Sequence, residues 1–503
     1  MRKLTLLRRF SQLFFLTFFF YVLWGATYPL KGLVSPEILF KADPLMIFIT
    51  SLSERVLLPG LLLSITMIII TLIIGRFFCG WICPLGTVID ITGSLKKKKY
   101  LKGAEKNKWI RKIKYVFLGT FVIFALIGIQ VAWILDPIVA FSRVVSLNII
   151  PAITLGVNKL FIEVINRFEL SGPFYDFYMS LKESFLGVNV YFFKNSLVTL
   201  IFFIIICFSS LFISRLWCRT ICPLGAMYAF IAKYSLFGRK AENCTNCNIC
   251  VDKCRMAAIN KDNTYLKSEC ILCMDCIYDC SRQVAIFSFS SFKNKKEKVS
   301  FDNESNISRK DFLFLILSSF SIPSFFKGLK KEQYKEIEII RPPGSLKEKS
   351  FLNACIRCGN CMKVCITNGL QPSLLHSGVQ GLWTPVLIPE IGYCEYNCTL
   401  CGEACPTGAI SRLNLKEKHK EKIGLAKVDK GRCIAWNYHE ECLVCEEHCP
   451  VADKAIKVEL VSVKNGKKIF APVVDKDLCI GCGICQNKCP ARPKRAIRVK
   501  GIR

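Results

Sequence analysis

The arrangement of the cysteines constrains this chain more than any other feature of its sequence. Of 29 cysteines in 503 residues, 24 fall into six groups of four, in which gaps of two residues are commonest and the last gap is three. Three thiolates on so tight a loop can bind three irons of one 4Fe–4S cube, and the fourth cysteine reaches a neighbouring cube. The quartets are Cys244, Cys247, Cys250 and Cys254; Cys270, Cys273, Cys276 and Cys280; Cys355, Cys358, Cys361 and Cys365; Cys394, Cys398, Cys401 and Cys405; Cys433, Cys442, Cys445 and Cys449; and Cys479, Cys482, Cys485 and Cys489.

The first two quartets have the spacing of a two-cluster bacterial ferredoxin. They predict one cube on Cys244, Cys247, Cys250 and Cys280, and another on Cys254, Cys270, Cys273 and Cys276. The same exchange between neighbours predicts four more cubes in the C-terminal half, six in all. Zinc also binds C-x-x-C pairs, but zinc knuckles do not tile in units of eight cysteines. The proline that usually follows the fourth cysteine is replaced by Arg255 and Ser281 in the first two quartets.

Four apolar runs predict a membrane domain. Residues 10–30, 56–78, 115–135 and 195–217 are almost wholly apolar. Each is long enough to cross a hydrocarbon core of about 30 Å at about 1.5 Å per helical residue. The alternative, four buried helices of a soluble protein, is unusual at this length.

Loop charges predict the orientation of these spans. Residues 96–114 hold ten basic residues against Glu105, and the segment after residue 217 is also basic, whereas loops 31–55 and 136–194 carry equal numbers of each sign. Basic loops remain in the cytoplasm, so we expect the N-terminus, loop 79–114 and the region after residue 217 on that side. The net charge of +31 then suits anionic lipid or an acidic protein. We expect no nucleic-acid partner, because no nucleic-acid module is visible.

An internal repeat places four further cysteines at one predicted membrane face. Residues 76–86 (RFFCGWICPLG) and 215–225 (RLWCRTICPLG) share the pattern R-x-x-C-x-x-x-C-P-L-G, which indicates a duplicated helical hairpin. Residues i and i+4 share one face of a helix. Four converging thiolates could hold a metal or an additional iron–sulfur centre, or could act as thiol–disulfide pairs, and they could also simply pack. They are Cys79, Cys83, Cys218 and Cys222, and the one cysteine left over, Cys207, reads as a packing residue.

A fifth apolar run, Phe312–Phe326, is short for a span and contains Pro323. It follows S-R-K-D-F-L at 308–313, which looks like a twin-arginine export signal with lysine as the second basic residue. The interpretation we favour is export of everything that follows. The alternative is a peripheral or buried helix that joins two cytosolic modules.

Ionisable residues limit the chemistry of the membrane part. The four histidines all follow residue 375 and no C-x-x-C-H occurs, so we expect no haem. Asp136 lies at the outer end of the third span, where an ionisable residue is a functional candidate. We therefore consider Asp136 a proton acceptor for a quinone, with Arg143 as a possible partner. The alternative is an ordinary helix boundary before Pro137.

Several stretches resemble known families. The two C-x-x-x-C-P-L-G segments and the ferredoxin pair after them are similar to NapH, the membrane iron–sulfur subunit of periplasmic nitrate reductase systems, and to the membrane parts of NosR and CcoG. The C-terminal half resembles NapG and MauM. The matching stretches are SRKDFL, RPPGS at 341–345, CIRCGNCMKVC, GYCEYNCTLCGEACPTGAI and CIAWNYHEECLVCEEHCP. The chain therefore resembles a fusion of NapH with NapG.

This resemblance implies an electron-transfer component of a quinol dehydrogenase. Quinol would be the substrate, and the partners would be the lipid membrane, the quinol pool and a periplasmic reductase or cytochrome. The chain would be a multi-pass protein of the bacterial inner membrane, with a cytoplasmic ferredoxin module and a periplasmic C-terminal domain. Similarity to CcoG implies instead an accessory factor that reduces a metal or disulfide at the four repeat cysteines. A third possibility is a membrane-anchored polyferredoxin that faces the cytosol throughout.

The expected fold is an α-helical membrane bundle of about four spans, built from a duplicated hairpin, that carries α+β ferredoxin-like modules. We expect a membrane domain over 1–235 and a two-cluster ferredoxin module over 236–300. An export signal or anchor with its linker should follow over 301–340, and a NapG-like four-cluster domain over 341–503.

Overall fold

The computed structural model describes residues 2–28, 30, 34–58, 60–95, 108–169, 172–183, 192–241, 244–280, 282, 284–289, 339–374, 378–464 and 467–502. The export-like segment 308–313, the run Phe312–Phe326 and residues 96–107 of the basic loop lie outside the described residues. The chain forms two compact units. The first unit comprises Met1–Val22, Glu37–Ser142 and Val198–Glu332, and the second comprises Leu23–Pro36, Arg143–Leu197 and Gln333–Arg503.

Helices form most of the first unit. Their apolar sequences favour helix formation, and several begin at a proline, whose fixed φ suits the first helical position. They are α1 (Arg2–Gly25), which continues into the second unit, α2 (Glu37–Lys41), α3 (Pro44–Glu54), α4 (Leu61–Ile74), α5 (Phe77–Trp81), α6 (Pro84–Ser94), α7 (Lys108–Leu126), α8 (Pro137–Val144), α11 (Leu197–Phe212), α12 (Leu216–Thr220) and α13 (Pro223–Ala232). A short 3-10 helix, Ala132–Ile134, precedes α8.

The observed helices differ from the predicted spans. Two described helices are long and apolar enough to cross a membrane, Leu4–Gly25 and Pro137–Phe168. The second helix falls in residues 136–194, which we expected to be a loop because this segment carries equal numbers of basic and acidic residues. Between residues 137 and 158, however, Arg143 is the one charged residue. In contrast, the runs 56–78 and 195–217 form the shorter helices α4 and α11.

The sequence repeat folds as two matching helix–turn–helix segments. In each copy a five-residue helix, α5 or α12, is followed by one isoleucine and then by a cysteine-proline pair. The proline is the first residue of a longer helix, α6 or α13. Cys83 and Cys222 are the residues that cap α6 and α13. The duplication that the sequence predicts therefore extends to helix lengths and caps.

The ferredoxin module belongs to the first unit. Strand β1 (Phe237–Ala241) pairs antiparallel with β2 (Ala285–Phe289), so that the segment between them carries both quartets and the short helices α14 (Ile249–Lys253) and α15 (Asp275–Tyr278). Its small core includes Val251, Ile259 and the cysteine Cys276.

The second unit combines helices of the first half with the C-terminal modules. A π-helical turn, Val145–Ile149, joins α8 to α9. The helices are α9 (Ile150–Phe168), α10 (Pro173–Leu181), α16 (Glu348–Ala354), α17 (Asn360–Lys363), α18 (Leu400–Glu403), α19 (Leu415–Lys420), α20 (Val444–Glu447) and α21 (Ile484–Lys488). The strands are β3 (Leu370–Pro372), β4 (Pro385–Leu387), β5 (Gly424–Val428), β6 (Ile456–Lys464), β7 (Lys467–Val474) and β8 (Ile497–Gly501).

The strands of the second unit form three antiparallel pairs, β3 with β4, β5 with β8 and β6 with β7. Strand β5 precedes the fifth quartet and β8 follows the sixth, which repeats the arrangement of β1 and β2 around the first two. Cysteines are core residues here, since Cys355, Cys361 and Cys445 are buried in the same cluster as Phe351.

Candidate electron-transfer site

The structure brings the ferredoxin cysteines together in the exchanged sets. Cys244, Cys247 and Cys250 line one cavity with Cys280, the fourth cysteine of the other quartet. Conversely, Cys254 interacts electrostatically with each member of the second set, which is Cys270, Cys273 and Cys276. This is the pairing that the spacing predicts.

The C-terminal quartets show the same exchange. Three cavities are each lined by three cysteines of one quartet and the fourth cysteine of its neighbour. These sets are Cys355, Cys358, Cys361 with Cys405; Cys365, Cys394, Cys398, Cys401; and Cys433, Cys442, Cys445 with Cys489. The remaining set is Cys449, Cys479, Cys482 and Cys485. Within it, Cys482 lies within electrostatic range of Cys449 and Cys479, and Cys485 within range of Cys479 and Cys482.

Backbone conformation explains how the tight loops turn. In four runs the residues on both sides of the second cysteine have a positive φ, which lets the loop curl around a central object. The pairs are Asn246 and Asn248, Leu272 and Met274, Arg357 and Gly359, and Gly481 and Gly483. Glycine and asparagine adopt this conformation most readily. The two quartets with altered spacing lack the pattern, because Thr399 and Leu443 have φ values of −121° and −105°.

Backbone amides donate to several of these sulfurs. Ala258 N lies 3.2 Å from Cys254 Sγ, Leu272 N 3.4 Å from Cys270 Sγ, and Ile410 N 3.4 Å from Cys405 Sγ. Such hydrogen bonds help set the potential of an iron–sulfur cluster. Burial raises the pKa of the Cys270 thiol to about 11, so that this side chain becomes a thiolate only when a metal replaces its proton.

The donor sets fit 4Fe–4S clusters better than single ions. Four of the six sets surround a cavity, and each thiolate of a cube binds a different iron. Ligands of one ion must converge more closely, and among the described residues no group of three or more cysteine, histidine or carboxylate side chains converges on one metal ion.

The four repeat cysteines also come together. Cys83 and Cys222 interact electrostatically with one another, and both interact with Cys79 and Cys218. The sulfurs of Cys83 and Cys222 each accept a hydrogen bond from a glycine amide three residues later, at 3.4 and 3.2 Å. Burial raises the pKa of both thiols well above their usual range, and the hydrogen bond from the glycine amide at each helix N-terminus opposes this rise.

Two buried arginines are exchanged between the repeats. Arg215 of the second copy donates to the carbonyl of Cys79 at 2.8 Å and to that of Gly86 at 3.4 Å. Reciprocally, Arg76 Nη2 of the first copy lies 3.1 Å from where a Cβ would stand on Gly225. Each C-P-L-G turn therefore has a guanidinium of the other copy beside it, and the positive charge suits an anionic centre of four thiolates.

The ferredoxin module contacts the first repeat through the loop that carries Cys270 and Cys273. Trp81 Nε1 donates to the carbonyl of Leu272 at 2.9 Å, and Arg76 Nη1 donates to that of Ser268 at 3.0 Å. A Cβ on Gly80 would stand 2.1 Å from the carbonyl oxygen of Ile271. Glycine is therefore the residue that permits this approach of the ferredoxin loop to the first repeat.

Ion pairs bind the ferredoxin module to the helices around it. Glu269 pairs with Lys114 at 2.6 Å and with Arg76 at 3.3 Å, and all three side chains are buried. Lys114 and Arg76 hold the pKa of Glu269 below its usual range, against the opposing effect of burial. Removal of one partner from such a buried group costs about 3–5 kcal/mol.

Arg255, which replaces the usual proline, has a clear role. It pairs with Asp275 of its own module at 2.6 Å and with Asp90 of α6 at 3.3 Å. Asp90 also binds Arg215 through both carboxylate oxygens, at 2.8 and 2.7 Å. The arginine that replaces the ferredoxin proline therefore forms an ion pair that joins the ferredoxin module to α6, the helix that begins in the first repeat.

In the second unit, the cluster loop around Cys358 packs on residues of the first half of the chain. Arg143 donates to the carbonyl of Arg357 at 2.9 Å and lies over the ring of Trp383 at 4.3 Å. A Cβ on Gly359 would stand 3.2 Å from Leu147. The buried Lys363 donates to the carbonyls of Leu23 and Trp24 at the end of α1, a common role of lysine at helix C-termini.

Asp136 is fully buried and caps α8, where its Oδ1 accepts from the amides of Ile138 and Val139 at 2.9 Å. The fully buried Asp43, a residue that our sequence analysis missed, lies within electrostatic range of Asp136. The signal was present, since A-D-P-L at 42–45 and L-D-P-I at 135–138 are a second repeated motif. Arg143 contacts Arg357 and Trp383, and its pairing with Asp136 stays a prediction.

Comparison with protein families supports iron–sulfur binding. The Fer4_5 family, a 4Fe-4S binding domain, matches residues 56–102 and 195–243, the two segments that contain the C-x-x-x-C-P-L-G copies. The Fer4 family, also a 4Fe-4S binding domain, matches residues 472–493.

Individual relatives match different shares of the chain. The methylamine utilization ferredoxin-type protein MauM of Methylorubrum extorquens is 35% identical over 187 residues, which are 36% of this chain and 80% of MauM. The ferredoxin-type protein NapG of Escherichia coli is 36% identical over 155 residues, 30% of this chain and 65% of NapG. A proposed electron transport protein of Escherichia coli, YccM, is 28% identical over 229 residues, 44% of this chain and 53% of YccM. No solved structure matches the chain.

Proposed function

Because the chain belongs to the family of MauM ferredoxin-type proteins through its ferredoxin part, we propose that it is a membrane-bound iron–sulfur protein that passes electrons from quinol to a periplasmic oxidoreductase. The 24 quartet cysteines would hold six 4Fe–4S clusters, which supply one-electron transfer when bound. Cys79, Cys83, Cys218 and Cys222 would hold a further centre at the entry to the chain of clusters.

The contact between the first repeat and the ferredoxin loop is the observation that carries this proposal. Trp81 and Arg76 bind the carbonyls of Leu272 and Ser268, so that the repeat cysteines and the second ferredoxin set lie on directly packed segments. Tunnelling requires such proximity. A ferredoxin that exchanged electrons only with soluble carriers would not need its cluster loop buried against the helices.

Contacts within each unit support transport across the membrane. In the first unit the ferredoxin module binds Arg76, Trp81, Asp90 and Lys114, which loop charge assigns to the cytoplasmic side. In the second unit the C-terminal modules bind the end of α1, which the same rule assigns to the outside. We therefore propose a periplasmic location for residues 341–503 and multi-pass insertion of the helices.

Anaerobic reduction of the full chain in liposomes by a quinol tests the proposal. We expect quinol to bleach the iron–sulfur absorbance of the wild type. Cys83→Ser should block bleaching by quinol and leave bleaching by dithionite intact, since the remaining clusters still accept electrons directly. Cys207→Ser is the matched control, because this half-buried cysteine belongs to no set, and it should behave as wild type. Equal rates of quinol reduction in Cys83→Ser and wild type would contradict an entry at the repeat cysteines.

Protease treatment of intact spheroplasts tests the location. Digestion of residues 341–503 from outside is expected. Protection of this part until the membrane is broken would refute a periplasmic acceptor and favour a cytosolic one.

A further inference from the structure

The contacts between cluster loops establish which cysteine sets of the second unit are neighbours. Each set is numbered by the quartet that supplies three of its cysteines, so that the third, fourth, fifth and sixth sets contain Cys358, Cys398, Cys442 and Cys482. The exchange of fourth cysteines joins the third set with the fourth and the fifth with the sixth. Exchange alone does not decide how these two pairs adjoin.

The fourth set adjoins the sixth. Cys394 N donates to the carbonyl of Cys482 at 2.8 Å, so one hydrogen bond joins the backbones of two cysteines that belong to different sets. The thiols of these two cysteines lie within electrostatic range of one another. A path from sulfur to sulfur through a single hydrogen bond is short enough for electron tunnelling.

Side chains of α21 hold this contact in place. Gln486 donates to the carboxylate of Glu390 at 2.9 Å, and Asn487 donates to the carbonyl of Pro389 at 2.8 Å. A Cβ on Gly483, the residue before α21, would stand 3.1 Å from the side chain of Pro389. The segment that leads into the fourth quartet therefore packs along the helix of the sixth.

The remaining neighbours are joined within each exchanged pair. Cys361 of the third set lies within electrostatic range of Cys401 of the fourth, and Cys485 of the sixth set lies within range of Cys445 of the fifth. The sets therefore follow one another in the order third, fourth, sixth and fifth. The sequence, in contrast, places the fifth quartet before the sixth.

The third set forms the end of this file that lies against helices. Its loop packs on Arg143 and Leu147, since Arg143 donates to the carbonyl of Arg357 at 2.9 Å and a Cβ on Gly359 would stand 3.2 Å from Leu147. Arg143 and Leu147 belong to Pro137–Phe168, one of the two described helices that are long and apolar enough to cross a membrane. Electrons that come from the membrane therefore reach the third set first.

The fifth set forms the other end and reaches the protein surface. Cys442 is half-buried, and the exposed Leu443 follows it directly. Tyr438, in the same loop, is also exposed. The four cysteines of the fourth set are half-buried as well, but an exit there would leave the sixth and fifth sets off the route. An exit at the fifth set uses all four.

We propose that electrons cross the second unit from the third set to the fourth, then to the sixth and last to the fifth, and that a one-electron acceptor docks at the loop of Tyr438 and Leu443. In each step the donating set loses one electron and the next set gains it, with no proton transferred and no bond made or broken. The acceptor gains this electron in the last step. The direction of transfer rests on the proposed function, whereas the order rests on the contacts alone.

Electron paramagnetic resonance of the dithionite-reduced full chain tests the order without quinol. Reduced neighbours broaden one another's signals, so Cys482→Ser, which disrupts the sixth set, should narrow the signals of both the fourth and the fifth sets. Cys442→Ser, the matched control in the fifth set, should narrow the signal of the sixth set alone. The opposite pattern, in which Cys442→Ser affects the fourth and sixth sets and Cys482→Ser only the fifth, is expected from sequence order and would overturn the proposal.

Rapid mixing with quinol, with cytochrome c as the one-electron acceptor, tests the route and the exit. Cys482→Ser should abolish reduction at the fifth set and leave the third and fourth sets at the wild-type rate. Cys442→Ser should leave reduction at the third, fourth and sixth sets intact and abolish transfer to cytochrome c. Transfer to cytochrome c that persists in Cys442→Ser would refute the exit. If quinol reduces none of the sets while the magnetic pattern holds, the proposed function fails and the order stands.

Asn487→Ala provides a test that keeps every cysteine, should Cys482→Ser fail to fold. This variant loses the hydrogen bond to the carbonyl of Pro389, which loosens the contact between the fourth and sixth sets. We expect slower reduction at the sixth and fifth sets after mixing with quinol, and wild-type rates at the third and fourth. Wild-type rates at all four sets would overturn the step from the fourth set to the sixth.

Discussion

Substitution of Gly80 by alanine should separate the ferredoxin module from the first repeat. The new Cβ would stand 2.1 Å from the carbonyl oxygen of Ile271 and 3.2 Å from its carbon. Both atoms belong to a backbone that cannot swing aside, so the loop must move away by more than an ångström. Overpacking of this kind costs about 1–3 kcal/mol, which lowers the docked population relative to the undocked one by about 5- to 140-fold.

Hydrogen exchange of amides 268–273 measures this docking directly. We expect faster exchange there in Gly80→Ala, and slower electron transfer from the repeat cysteines to the ferredoxin clusters after rapid mixing with quinol. Gly93→Ala is the matched control, because its Cβ would meet only Ser210 O at an ordinary 3.6 Å. Wild-type exchange and wild-type transfer in Gly80→Ala would refute the close approach of loop and helix.

Three further predictions concern charge, metal and a helix cap. Burial opposes the ionisation of Asp90, but Arg215 holds the pKa of Asp90 well below its usual range. This carboxylate therefore stabilises the fold fully above the ordinary aspartate pKa of about 3.9. The stabilisation is lost as the pH falls through the lowered pKa of Asp90. Asp90→Asn should lower the free energy of unfolding by about 3–5 kcal/mol at neutral pH. The difference in unfolding midpoint between wild type and Asp90→Asn should shrink in acid. An equal difference at neutral and at acid pH would contradict this. Removal of iron should unfold residues 339–502, because cysteines form part of their core, and a protease-resistant apo-domain would count against it. Lys363→Met should cost about 1–3 kcal/mol, since the carbonyls of Leu23 and Trp24 lose their donor; an unchanged melting temperature would exclude that role.

Sequence spacing was sufficient to predict how the cysteines group, because cluster geometry allows few alternatives. The exchanged sets, including Cys280 with the first quartet, follow from gap lengths alone. The duplicated C-P-L-G turn could also be predicted from the sequence, because both copies retain the residues that the turn requires. Spacing of this kind is a local property, and the fold preserves it.

Long-range partners could not be predicted in this way. Asp43 lies 93 residues from Asp136, and although their turns share a D-P motif, the motif does not indicate that the two residues lie within electrostatic range of one another. The helix Pro137–Phe168 was missed because charges beyond residue 158 concealed an apolar segment. The sequence showed only that Arg255 replaces the usual ferredoxin proline. The reason for this replacement is the ion pair with Asp90, which the sequence does not indicate.

The duplication explains why the repeat cysteines can be symmetric while the electron has one exit. Both copies supply two cysteines, a capping turn and an arginine for the other copy, so the centre itself has no preferred side. The copies differ at several equivalent positions, among them Gly80 against Arg219 and Trp81 against Thr220. Only the glycine permits the ferredoxin loop to approach, and only the tryptophan donates a hydrogen bond to that loop. Gly80→Arg should therefore block electron exit to the ferredoxin clusters after rapid mixing with quinol. Wild-type transfer in this variant would show that the exit does not depend on the first copy.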